Sequence, residues 1–96
     1  MNFRTIITSI VLSLSLTSQA QATFSADSKV MLNAYDALLE EDPRDPEILF
    51  RRAGEYFKLN DYVRALDDVN NAIAFLPADD NDTRHQAIAL RANILM

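Results

Sequence analysis

The chain has 96 residues, a formal net charge of −5, no cysteine and no tryptophan. Without cysteine it forms no disulfide and carries no lipid on a cysteine, and so small a domain has little core area to stabilise it. The acidic balance, and the lack of a basic stripe with interleaved aromatics, argue against nucleic-acid binding.

Residues 1–22 read as a secretory signal peptide. Arg4 supplies the positive start, Ile6 to Leu16 is an uncharged stretch, and Ala20-Gln21-Ala22 is a small-x-small cleavage site. The apolar stretch is shorter than the roughly 20 residues that span a bilayer and is diluted by Ser and Thr, which favours a cleaved signal over a stable membrane anchor. Export is expected, to the periplasm or beyond the cell. Cleavage after Ala22 leaves 74 residues with 8 basic and 14 acidic side chains.

Residues 23–27 form a leader. Ser25, Asp27 and Ser28 are candidate N-caps for a helix running to about Glu41. Its Met31, Ala34, Tyr35, Leu38 and Leu39 recur at helical spacing. Pro43 and Pro46 then impose an extended linker, because a residue before proline avoids the helical region. Asp45 and Pro46 make an N-cap and first-turn pair. The next helix is expected over 46–59. Leu49, Ala53 and Tyr56 share one of its faces; Phe50 and Phe57 lie on a neighbouring face with Gly54 between them.

Asn60-Asp61 separates this helix from another, expected from 61 or 62 to 76. Ala65, Val69, Ala72 and Ile73 form its inner face, flanked by Leu66 and Phe75. Small residues at such positions let helices approach closely. A last helix is expected to begin near Asp82, with Asp80 to Thr83 offering caps.

Asp42-Pro43-Arg44-Asp45-Pro46 returns in outline as Leu76-Pro77-Ala78-Asp79-Asp80, with Pro43 and Pro77 34 residues apart. Two helices per period of this length mark a helical repeat array. One repeat cannot bury its own apolar face and must stack on neighbours. The expected fold is all-α: antiparallel helix pairs stacked as a short α-solenoid.

The stretch Pro46 to Asp79 resembles the tetratricopeptide repeat. Ala53, Tyr56, Asn60-Asp61-Tyr62, Ala65, Ala72 and Pro77 carry the resemblance. Leu49 and Val69 stand where the strict pattern has aromatics. Asn60 replaces a glycine, which Asn can do because it tolerates a left-handed backbone. The likeness covers a full repeat, 46–79, and half repeats at 28–43 and 80–96. It implies that Phe50, Gly54 and Phe57, with Arg84 and Ile88 of the following half repeat, line a concave groove for an extended peptide. It also implies an ion pair between Arg52 and Asp68. The family's chaperone-tail clamp of Lys and Asn is absent, since Phe50 and Gly54 hold those positions.

Catalysis needs a nucleophile, a base and an orienting group in contact. His85 is the only histidine, and Ser25 and Ser28 are the only serines beyond residue 22. No enzyme activity and no cofactor is expected, and His85 reads as a surface residue in a first helical turn. Asp79-Asp80-Asn81-Asp82 suggests calcium, but an EF-hand loop counted from Asp79 would need Gly and Glu where Arg84 and Leu90 stand. These carboxylates read instead as helix caps, and Arg51 as solvated.

The expected role is a non-enzymatic protein-interaction scaffold of the bacterial envelope, with a protein or extended peptide as partner. Two alternatives stand beside it: the N-terminal part of a longer repeat protein without separate activity, and an accessory subunit of an envelope enzyme or transport complex. Ala87, Leu90, Ile94, Leu95 and Met96 keep the last helix apolar to its final residue, and no Gly or Asn caps it. The expectation is that further chain, or another copy through self-association, covers this helix.

Overall fold

A computed structural model describes residues 27–96; the expected signal peptide, its cleavage site and Ser25 lie outside them. The described chain is all-helical, with four packed helices. They are α1 (27–41), α2 (Pro46–Lys58), α3 (Tyr62–Phe75) and α4 (Asn81–Leu95). Helix α1 is formed at residue 27 and runs to Glu41, where its end was expected. Helix α4 starts at Asn81, near Asp82 as expected, with Asp80 as its cap.

Three aspartates start three helices. The Asp45 carboxylate accepts from the backbone N–H groups of Glu47 and Ile48 at 3.1 and 3.2 Å, with Pro46 in the first turn. Asp61 accepts from Arg64 N–H at 3.3 Å, and Asp80 from Thr83 N–H at 3.1 Å. Each cap satisfies an amide that the helix cannot, worth about 1 kcal/mol.

Between α2 and α3, Asn60 takes φ 61°, the one positive φ at a non-glycine residue among those described. The left-handed step lets the chain reverse at once: Asn60 N–H reaches Phe57 O at 3.0 Å and Asp61 N–H reaches Tyr56 O at 2.9 Å. The Tyr62 hydroxyl donates to Asn60 Oδ1 at 2.9 Å across the same turn.

Neighbouring helices are antiparallel. Leu39 packs with Leu49 and Ala72 in one cluster, and Ala53 packs with Val69 and Ala87 in a second. Helix α3 packs against both α2 and α4, and α2 touches α4 directly. Ala53, Ala65, Val69, Ala72 and Ala87 are fully buried, and Val69 is the largest of them. The interior is therefore held by short side chains that bring backbones together, as the alanine spacing implied. The alternation gathers the start of α1, the α2–α3 turn and the end of α4 at one end of the bundle. The two proline linkers lie at the other.

Candidate functional site

Arg52 sits at mid-height of α2 and joins three helices. Its Nε and Nη2 meet Asp68 Oδ2 and Oδ1 of α3 at 2.7 and 2.8 Å. Its Nη1 reaches Asp36 Oδ1 of α1 at 3.0 Å. The two-pronged contact with Asp68 matches the planar guanidinium to the planar carboxylate, the strongest ion-pair geometry available to arginine. The Asp68 side chain is 4% exposed and that of Arg52 22%. A carboxylate so buried persists because both oxygens are matched, and no described buried side-chain polar atom lacks a hydrogen-bond partner. Hydrogen bonding to Asp68 raises the pKa of Arg52, more than burial lowers it. Arg52 therefore stays charged wherever the protein is folded.

Tyr56, one turn on, lies beneath this cation, with the guanidinium carbon 5.7 Å from the ring centroid; that of Arg64 is 5.9 Å away. Burial raises the Tyr56 pKa, against the opposing charge of Arg52. Asp36, Arg52 and Asp68 thus form one charged network across three helices, with Tyr56 and Arg64 beside it. Asp36 carries no signal in a pattern of spaced residues. Only the antiparallel register, which sets it opposite Arg52 as Asp68 is on the other side, could have revealed it.

The other candidate residues occupy one face of α2 and the adjoining part of α4. Phe50 is half-buried and packs against both core clusters. It is thus partly a core ring, because its place on α2 turns it toward α3 and α4 as well as outward. Phe57 is half-buried and meets Tyr62 edge-on, with centroids 5.7 Å apart. Between them Gly54 faces open space: a methyl group placed on its α-carbon would meet nothing within 4 Å. No neighbour in the fold requires a glycine there. Gly in a helix interior costs about 0.5–1 kcal/mol relative to Ala.

On α4, Ile88 is exposed, 34 residues after Gly54. Arg84 is folded back on the end of α3. It donates to the carbonyl oxygens of Ile73, Leu76 and Pro77 at 3.5, 3.3 and 3.0 Å. Ile73 and Leu76 lie at the end of α3, where carbonyls lack helical partners and a cation complements the helix dipole, while Pro77 O also accepts from Asp80 N–H. The structure thus gives Arg84 a joining role that the sequence reading missed. Arg91, two turns further along α4, donates to Asn70 Oδ1 of α3 at 3.2 Å.

His85 is exposed. Asp80 is occupied as the α4 cap, and among the described residues no group of three or more His, Cys, Asp or Glu is placed to hold a metal ion. Arg51 is solvated and pairs with Glu47 at 2.7 Å, four residues back on the same helix. No protein-family model, no curated protein and no solved structure matches the chain.

Proposed function

We infer that this chain is a non-enzymatic protein-interaction scaffold, built from tetratricopeptide-like helix pairs and exported to the bacterial envelope. The observation that carries this reading is Gly54. It stands in the interior of α2, unopposed by any neighbour, between two half-exposed aromatic rings. Such a residue lowers the stability of its helix and repays it only where another backbone comes close. Phe50 and Phe57 supply apolar walls, and Ile88 extends the surface onto α4. A segment lying across α2 beside Gly54 would bury these side chains, the usual use of an exposed apolar patch.

The repeat-like features support the same reading: the 34-residue period, the buried alanines one period apart at Ala53 and Ala87, and the left-handed Asn60 turn. The signal-like start, read from Arg4 and Ala20-Gln21-Ala22, is the support for export.

Selection of peptides from a random displayed library against the chain tests the proposal. Bound peptides are expected, and Gly54→Leu is expected to abolish their binding while leaving the helical circular dichroism intact, because the added side chain enters open space. Absence of any selected peptide, or binding indifferent to Gly54→Leu, would remove the groove reading.

A further inference from the structure

We propose that Asn81 is the acceptor of an N-linked oligosaccharide, attached by an oligosaccharyltransferase after export. The inference rests on the export reading and uses neither the surface around Gly54 nor the Arg52 clamp. Residues 79–83 read Asp79-Asp80-Asn81-Asp82-Thr83. Asn81 is followed by a residue other than proline and then by a threonine, the acceptor pattern for N-glycosylation. Of the seven asparagines in the chain, it alone has Ser or Thr two places on. Asp79 adds a carboxylate two residues before it, the further feature that bacterial transferases of this class read, and one that a basic side chain of the enzyme can pair with.

The fold leaves this acceptor open. Asn81 is the first residue of α4 and is exposed, as are Asp79 and Asp82. A helical Cα–Cβ bond tilts toward the helix N-terminus, so the Asn81 side chain leaves the end of α4 rather than its packed face. The turn closes through other groups. Asp80 N–H donates to Pro77 O, Asn81 N–H to Asp79 O and Thr83 N–H to the Asp80 carboxylate, each at 3.1 Å. The side chains of Asp79, Asn81 and Thr83 have no hydrogen-bond partner among the described residues. The repeat supplies a second observation. One period earlier, Glu47 holds the place of Asn81 and Leu49 that of Thr83. Leu49 is a buried core residue, whereas Thr83 is half-buried. Packing accounts for the leucine and not for a threonine hydroxyl without a partner in the described fold.

The reaction joins Asn81 Nδ2 to the anomeric carbon of a sugar carried on a polyprenyl diphosphate. The C–N bond forms as the C–O bond to the diphosphate breaks. The lipid diphosphate leaves with the electron pair, and the amide gives one proton to a base of the enzyme. No oxidant or reductant takes part. The Thr83 hydroxyl is the handle by which the enzyme holds the segment. Presenting residues 79–83 needs only the first turn of α4 to fray, and helix ends open more readily than helix interiors. Pro77, Ala78 and Asp79 are exposed beside the site. Exposed loop tips are where proteases cut, so a glycan on Asn81 would shield this linker outside the cell.

The full chain, folded, is incubated with a purified bacterial oligosaccharyltransferase and its lipid-linked oligosaccharide, beside a short acceptor peptide as control. Mass spectrometry is expected to find one oligosaccharide added, on the tryptic peptide Ala65–Arg84. Asn81→Gln and Thr83→Ala are each expected to abolish the addition, Thr83→Ser to keep it and Asp79→Ala to lower its yield. Asn70 and Asn71 share that peptide, so a gain that survives Asn81→Gln overturns the proposal. So does an unmodified chain beside a modified control peptide. Enzyme and donor are supplied directly, so this arm is independent of export. The chain isolated from its own cells is then expected to carry the glycan on the same peptide. An exported chain without it overturns the proposal and leaves export standing. A chain retained in the cytoplasm overturns the export reading, and the proposal falls with it.

Discussion

Helices α2 and α4 stand one 34-residue period apart, and what they share differs in kind from what they do not. Ala53 and Ala87 are both fully buried, in the same cluster, beside Val69. One residue to either side the likeness ends. Arg52 is clamped between Asp36 and Asp68, whereas its counterpart Gln86 is exposed and unclamped. Gly54 corresponds to Ile88 and Tyr56 to Leu90. The small buried residue sets how close successive helices come, so it recurs. The polar and aromatic positions answer to what surrounds each helix and are free to change.

The largest test of this contrast is at the clamp. Arg52→Ala strands the Asp68 carboxylate without a partner and should lower stability by about 3 kcal/mol. Gln86→Ala, one period later, should change it by less than about 0.5 kcal/mol. Urea unfolding followed by circular dichroism measures both, and comparable losses at the two positions would contradict the contrast. A double-mutant cycle with Asp68→Ala should show coupling between Arg52 and Asp68.

Next come the shared alanines. Ala53→Leu and Ala87→Leu each force extra volume into a closed contact and should each destabilise by about 1–3 kcal/mol. If only one of them does so, the two positions are not equivalent packing points. A smaller effect of opposite sign is expected at Gly54. Gly54→Ala should raise stability by about 0.5–1 kcal/mol, since nothing opposes the new methyl group and the unfolded chain loses freedom. The melting temperature reports it; a decrease would mean that the site is not open in solution.

The smallest effect is a pH dependence at Tyr56, which its counterpart Leu90 cannot show. Burial raises the Tyr56 pKa, so the fold favours the neutral phenol. That stabilisation is complete below the unfolded value of about 10 and is lost as pH rises through the higher folded value. Stability should therefore fall in the alkaline range, and Tyr56→Phe should flatten part of that fall. An unchanged alkaline profile in the variant would place the titration elsewhere.

Much of the architecture could be read from residue spacing. Pro43 and Pro77 marked the period, Asp45 and Asp80 marked helix starts, and Ala53, Ala65, Ala72 and Ala87 marked the buried faces. These features act locally or through periodicity, which a linear sequence displays. The pairing of Arg52 with Asp68 was legible only through resemblance. Asp36 and the folding of Arg84 onto three carbonyls were not legible, because each depends on how one helix is rotated about its axis against the next. Phe50 shows the limit most clearly. Helical spacing put it beside Gly54 and Phe57, but spacing alone could not show that the same ring also fills both core clusters.

The Arg52 clamp also bears on how the bundle opens. A single guanidinium fastens α1 and α3 to α2, so none of those helices can leave without breaking a charged contact. Helix α4 is held by alanine packing, by Arg84 on backbone carbonyls and by Arg91 on a neutral amide. Local opening should therefore begin with α4 and leave the three clamped helices as one cooperative unit. Amide hydrogens of α1, α2 and α3 should then exchange with a common opening free energy, and those of α4 with a smaller one.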